Sequence, residues 1–271
     1  MHAPIGVFDS GIGGLSILQA LRAELPFEDF VYVADSGHAP YGERDPAHVI
    51  VRARAITGDL RSRHHIKALV IACNTATAAA IHLLRQEQPD LPIIGVEPAL
   101  KPAALHSQTR RIGVLATQGT LSSAKFQALL DSLKDQAEFI CQPCSGLASA
   151  IEAGDADKIQ SLSQQYTAAL GSEDGVDTLV LGCTHYPFAR DVLQALVGPS
   201  VTLLDSGAPV ARQTRRVLEA KAVLAPAREA SALLCSTGNI EALQVAVRRW
   251  LPLDAFFNRV SFQTLDPETP A

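Results

Sequence analysis

Two cysteines stand at matching places in the chain. Cys73 closes the apolar run in "VIACNTATAAAI" (residues 70–81), and Cys183 closes the one in "LVLGCTHYPF" (residues 179–188). In both, a helical pattern should follow, opened by small polar residues: Asn74 and Thr75 in the first, Thr184 and His185 in the second. A thiol at such a junction faces the positive end of a helix dipole. That favours the thiolate, the basic and nucleophilic form, over an unperturbed pKa of about 8.5. One cysteine of this kind is more often a small buried hydrophobe. Two at equivalent places predict an acid–base pair, one group for each face of the same carbon atom. His185 is close enough in sequence to orient the second thiol or to bind a carboxylate. Glu152, in "SAIEAG", can assist His185 only if the fold brings the two together.

Other chemistry-bearing stretches are weaker. "DSGIGGLS" is not a dinucleotide fingerprint, because Ser16 occupies the third required glycine position, and no Gly-Lys-Ser/Thr sequence marks a phosphate loop. It reads as a tight strand-to-helix turn whose exposed amides suit a small anion such as a carboxylate. Asp9, just before the turn, reads by itself as a cap. Cys141 and Cys144 could be drawn with Cys183 and His185 as four zinc ligands, but Cys-x-His is tighter than the usual second pair. A redox role for "CQPC" lacks the surrounding domain. No metal is expected.

The elements that must position these residues alternate almost throughout. "IGVFDS", "FVYVADS", "ALVIACN" and "PIIGVEPA" read as strands, with helices near 16–25, 47–64 and 75–88 between them. The pattern restarts at "RIGVLATQGT" and runs through "AEFICQP", "LASAIEAG", "VDTLVLGC" and "VTLLDSGAPVARQTRRVLEA". "ALLCSTG" and "NRVSFQTL" are late strands around a helix near 240–250, and the tail "DPETPA" is expected to fray. Strand–helix alternation predicts an α/β fold with parallel sheets covered on both faces. Laid on one another, Gly6-Val7-Phe8 matches Gly113-Val114-Leu115, and Cys73-Asn74-Thr75 matches Cys183-Thr184-His185. The separations, 67 residues from Gly6 to Cys73 and 70 from Gly113 to Cys183, predict two related halves whose strand ends line one cleft.

Composition agrees with a folded globular protein. The chain has 271 residues, 47% hydrophobic and 19% charged, with a formal net charge of −5 and no long basic run. Nucleic acid and anionic membrane are therefore poor main partners. "MHAPIGVFDSG" lacks a signal-peptide pattern and no apolar stretch could span a bilayer, so a cytoplasmic protein with reduced thiols is expected. Five cysteines are also an odd number for a disulfide framework.

"GVFDSGIGG", "YVADSGHAPYG", "VIACNTATA", "GVLATQGT" and "LVLGCTHYP", in that order, resemble the glutamate racemases of the cofactor-independent aspartate/glutamate racemase family. The resemblance runs from about residue 4 to 210. It implies two pseudo-symmetric flavodoxin-like or Rossmann-like domains, 1–96 plus 208–271 and 97–207, with the active site in the cleft between them. It implies interconversion of L- and D-glutamate without a cofactor or metal, in support of peptidoglycan synthesis. Carried over, Cys73 and Cys183 are the acid–base thiols, Asp9 assists Cys73, and His185 and Glu152 serve the Cys183 side. Asp9, Ser10, Tyr41, Gly42, Asn74, Thr75, Thr117, Thr120, Thr184 and His185 hold the substrate. After Cys144 the chain reads "SGLASAIEAG" where the family usually has a valine-proline pair, which loosens the placement of Glu152. The resemblance allows a homodimer, and a secondary effect on DNA gyrase in some members. The start close to the first strand implies that activation by a cell-wall precursor is absent. Aspartate racemase is the nearest rival within enzymes. A two-lobed amino-acid-binding protein would use a similar cleft but needs no paired thiols.

Overall fold

The computed structural model describes residues 3–168, 170, 175–251 and 259–266. They form two compact units, one from residues 1–96 and 207–271, the other from residues 97–206.

The first unit begins with β1 (Ile5–Asp9), α1 (Leu15–Glu24), β2 (Phe30–Ala34), α2 (Pro46–His64), β3 (Ala68–Ile71), α3 (Asn74–Glu87) and β4 (Ile93–Gly95). The first three strands are buried at every position, as a parallel sheet covered on both faces requires. Local chemistry sets the helix ends. Asp45 caps α2 by accepting from the Ala47 amide at 2.7 Å, with Pro46 preset for the first turn. Before that helix, the segment from Asp35 folds into two short 3₁₀ turns, Ser36–His38 and Tyr41–Glu43.

The second unit carries α4 (Leu100–His106), β5 (Arg111–Ala116), α5 (Gln118–Leu121), α6 (Ala124–Asp131), β6 (Glu138–Pro143), α7 (Leu147–Ala153), α8 (Ala156–Ala168), β7 (Thr178–Leu181), α9 (Arg190–Val197) and β8 (Thr202–Leu204). Its four parallel strands lie in the order β6-β5-β7-β8. The chain then returns to the first unit with α10 (Gly207–Ala220), β9 (Ser231–Ser236), α11 (Ile240–Trp250) and β10 (Arg259–Thr264). This completes a six-stranded parallel sheet ordered β10-β9-β2-β1-β3-β4. Most of the "DPETPA" tail lies outside the described residues. At the boundary, Ser206 Oγ donates to the Glu97 carbonyl at 2.5 Å, so the chain enters and leaves the second unit side by side.

Four strands of the first sheet, β2-β1-β3-β4, repeat the order of the whole second sheet. The correspondence holds to the residue. Gly6 pairs with Leu69 across β1 and β3, and Gly113 pairs with Leu179 across β5 and β7. The Ala72 amide bonds the Phe8 carbonyl at 2.7 Å, and the Gly182 amide bonds the Leu115 carbonyl at 2.7 Å. In each sheet the cysteine follows four residues after the leucine. Among the described residues no helix is long and apolar enough to cross a membrane.

Candidate active site

In the first unit, Cys73 is both the exit from β3 and the N-cap of α3. Its sulfur accepts from the Ala76 amide at 3.5 Å and lies 3.9 Å from the Ser10 hydroxyl. The expected helix N-terminus is therefore present at this thiol. Asn74 and Thr75 open the helix, and both are buried. The Asn74 Nδ2 donor is enclosed without a hydrogen-bond partner, an arrangement that costs free energy unless a ligand completes it. Asp9 ends β1, the strand beside β3, and its Oδ2 accepts from the amides of Gly14 at 2.9 Å and Gly11 at 3.3 Å. Two of the amides that the glycine-rich turn was expected to offer an anion are thus used by the protein's own carboxylate.

Tyr41 is buried in the same core as Cys73, but its hydroxyl donates to Asp35 Oδ2. Burial, the negative Asp35 and the nearby Cys73 all push this phenol's pKa well up. Gly42, next in the chain, is half-buried. Asp35 also takes a two-pronged ion pair from Arg52, with Nε and Nη2 each at 3.0 Å, and a bond from Thr237 Oγ1 at 2.7 Å.

In the second unit, Cys183 Sγ lies 3.8 Å from His185 Nδ1, and His185 Nε2 lies 2.6 Å from Glu152 Oε2. The fold does bring Glu152, on α7, to the histidine, although the sequence before it departs from the family pattern. Burial alone would lower the His185 pKa. Hydrogen bonds and charge interactions with Cys183 and Glu152 outweigh it and raise the imidazole well above its ordinary 6.5. The local structure after Cys183 differs from expectation. Instead of a helix starting at once, a turn closed by Tyr186 N to Cys183 O at 3.1 Å leads into a 3₁₀ turn (Tyr186–Ala189) before α9. The imidazole, rather than a capped helix end, is the polar group against this sulfur. Thr184 is buried beside it.

Thr117 follows β5 at the position matching Ser10 after β1. It caps α5 through the Thr120 amide at 3.2 Å and donates to the Thr120 hydroxyl at 3.0 Å. Cys144 is buried against the carbonyl of Gln142 at 3.4 Å, and burial and the charge of Cys183 push its thiol up to about 12. Burial also raises Cys141 to about 11 and Cys235 to about 12. None of the five cysteines is in a disulfide. Among the described residues no three His, Cys, Asp or Glu side chains converge to hold a metal ion.

Residues 5–214 match the model of the Asp/Glu/Hydantoin racemase family. The chain belongs to that family. This racemase is 50% identical to the glutamate racemase of Ectopseudomonas mendocina over 91% of its own length and 94% of the relative's. Among solved structures it is similar to a glutamate racemase isoform of Bacillus anthracis, with a TM-score of 0.86, 30% identity and 98% of both chains covered. It is also similar to the Escherichia coli glutamate racemase, solved with L-glutamate and the activator UDP-MurNAc-ala. That match has a TM-score of 0.81 and 30% identity, covering 97% of this chain and 98% of the other. The polar cluster that sequence reasoning missed is Asp35 with Arg52 and Thr237. Asp35 lies in "YVADSGHAPYG", but its partners are 17 and 202 residues away, and no local pattern announces them.

Proposed function

We propose that the chain interconverts L- and D-glutamate by transferring the α-proton between two thiols, without a cofactor, and so supplies D-glutamate for peptidoglycan. The observation that carries this reading is the register match: two cysteines at the same position of two sheets with the same strand order. Racemisation removes a proton from one face of a carbon and returns one to the other, which a single fixed base cannot do. In one direction a Cys73 thiolate takes the α-hydrogen; the S–H bond forms as the C–H bond breaks. The Cys183 thiol then gives its proton to the opposite face. The roles exchange for the other enantiomer.

On this reading residues 1–96 with 208–271 form the domain that carries Asp9, Ser10, Tyr41, Gly42, Cys73, Asn74 and Thr75. Residues 97–207 form the domain that carries Thr117, Thr120, Glu152, Cys183, Thr184 and His185. Glu152 holds His185, whose other ring nitrogen faces the Cys183 sulfur. The partnerless Asn74 amide suits a substrate carboxylate. Identity of 50% with a glutamate racemase favours glutamate over aspartate. Five thiols outside any disulfide favour the cytoplasm, where they stay reduced.

The test is incubation with L-glutamate in deuterated buffer containing a chelator and no added cofactor. The α-hydrogen is followed by NMR and the D-isomer by chiral chromatography. Wild-type protein should incorporate deuterium and form D-glutamate. Cys73→Ala and Cys183→Ala should each lose turnover by at least about 10³-fold, the scale of general acid–base catalysis, while keeping the native circular dichroism spectrum. Full racemisation by either variant would sink the two-thiol mechanism. Turnover of aspartate alone would reassign the substrate.

A further inference from the structure

The turn after β9, far along the chain from either thiol, reaches the Cys73 side through a set of polar contacts that runs from a partly exposed turn to the buried Asp35 and Tyr41. Thr237 Oγ1 donates to Asp35 Oδ1 at 2.7 Å and accepts from the Gly37 amide at 3.2 Å, and the Thr237 amide bonds the Ala34 carbonyl at 3.1 Å. The backbones approach so closely that a Cβ on Gly37 would stand 2.8 Å from the Thr237 carbonyl oxygen. One on Gly238 would stand 3.0 Å from the Gly37 nitrogen. Neither position can take a side chain without moving the two segments apart.

Asp35 gathers what this turn holds. Its side chain is fully enclosed, so its charge must be balanced by neighbours, and Arg52, itself 3% exposed, supplies a planar two-point partner from α2. With Arg52 fixing both oxygens and Thr237 fixing Oδ1, the carboxylate has one orientation left in which Oδ2 meets the Tyr41 hydroxyl. Tyr41 begins the 3₁₀ turn that carries Gly42, and its ring lies in the core cluster that includes Cys73 and Ala76. The carboxylate thus decides where the Tyr41–Gly42 backbone stands relative to the thiol.

We infer that Thr237 is a positioning residue for substrate binding: with Arg52 it orients Asp35, and Asp35 holds the Tyr41–Gly42 turn in its binding position beside Cys73. The inference rests on the glutamate-racemase reading of the Cys73 side. Thr237 touches no reacting atom. It acts through Asp35 and Tyr41, from a segment beyond the residues that match the family model.

The experiment compares Thr237→Val, which keeps the shape and removes the hydroxyl, with Thr237→Ser, which restores it. The KM for L-glutamate should rise roughly tenfold in the valine variant, the effect of one unmade bond to a buried charge, with a smaller change in kcat. The serine variant should return to within about twofold of wild type. A merely structural role would lower the folded fraction, and so kcat, but leave the KM of the folded molecules alone. Tyr41→Phe removes the other end of the relay. In the double variant with Thr237→Val the KM should be no worse than in the worse single, because both break the same path. Hydrogen–deuterium exchange of residues 36–44, which needs no substrate, should speed up in both single variants. Unchanged KM in folded Thr237→Val, failure of serine to rescue it, or additive effects in the double variant would each overturn the inference. If Thr237→Val does not fold, unchanged KM and unchanged exchange in Tyr41→Phe overturn it. Loss of racemisation by the wild-type protein in the same assay would instead count against the glutamate reading.

Discussion

His185 sits between a sulfur and a carboxylate, and the balance of three opposed effects decides its charge. Burial disfavours the imidazolium, while Cys183 and Glu152 favour it more strongly. The linkage has a definite sign. A histidine whose pKa is raised on folding contributes stability that is fully present below its unfolded value near 6.5 and is lost as pH rises through the folded value. Replacing Glu152 by Gln removes one of the two supports. The gap in denaturation midpoint between wild type and Glu152→Gln should therefore be widest near pH 6 and narrow on the alkaline side. A gap that widens with pH would contradict the pairing. The cysteines, Asp9, Asn74 and His185 were all legible in the sequence, because each adjoins a strand end marked by an apolar run. What the sequence concealed was how polar groups are spent. The Gly11 and Gly14 amides go to Asp9, and the Tyr41 hydroxyl goes to Asp35. Those pairings depend on side-chain direction in three dimensions, and composition does not encode it.

At the scale of elements, the strands were the most readable feature, since buried parallel strands are short apolar runs bounded by turns. The amphipathic patterns before Pro26 and after Asp45 gave α1 and α2 to within a residue or two. Two helices escaped notice. In α8 only Ile159, Ser163 and Tyr166 are buried, and α4 is a single short stretch with Pro102 in its first turn. The 3₁₀ turn after Cys183 was also hidden, because "CTHYPF" fits a helix start as well as a tighter turn. The β1–α1 junction offers a direct test of how closely this framework is packed. A Cβ at Gly14 would fall 2.6 Å from Asp9 Cβ and 2.9 Å from the Tyr32 hydroxyl, whereas one at Gly58, within α2, would meet nothing within 4 Å. Gly14→Ala should lose about 1–3 kcal/mol of stability and most of the activity, because Asp9 must move. Gly58→Ala should gain about 0.5–1 kcal/mol with activity intact. Urea denaturation beside a racemisation assay distinguishes the two.

The whole molecule is an assembly of two units with separate cores, and the second has a weak point of its own in acid. Asp177, just before β7, collects bonds from Ser107 Oγ at 2.6 Å, the Gln108 amide at 2.6 Å, the Thr109 amide at 3.0 Å and Thr178 Oγ1 at 3.0 Å. Partial burial opposes its ionisation, but these donors outweigh it and bring the carboxyl from 3.8 down to about 2. A depressed carboxylate contributes stability that is present above its unfolded pKa and disappears as pH falls through the folded one. Asp177→Asn should thus cost about 1–2 kcal/mol at neutral pH, after allowance for solvent screening, and the difference should vanish between about pH 4 and pH 2. Acid titration of the two proteins by circular dichroism measures it.

The chain's route through the units also has a mechanical side. The first and last described strands, β1 and β10, both belong to the first unit, where β9 from the late segment pairs along β2 from the early one. The second unit is entered and left at Glu97 and Ser206, which are bonded to each other. Tension applied between β1 and β10 is therefore borne by the β1–β2, β2–β9 and β9–β10 ladders. The unit that carries Cys183 is left out of the load path until one of those ladders shears. Under a stretching force the molecule should give way in two steps, the sheet around Cys73 first and the sheet around Cys183 only afterwards.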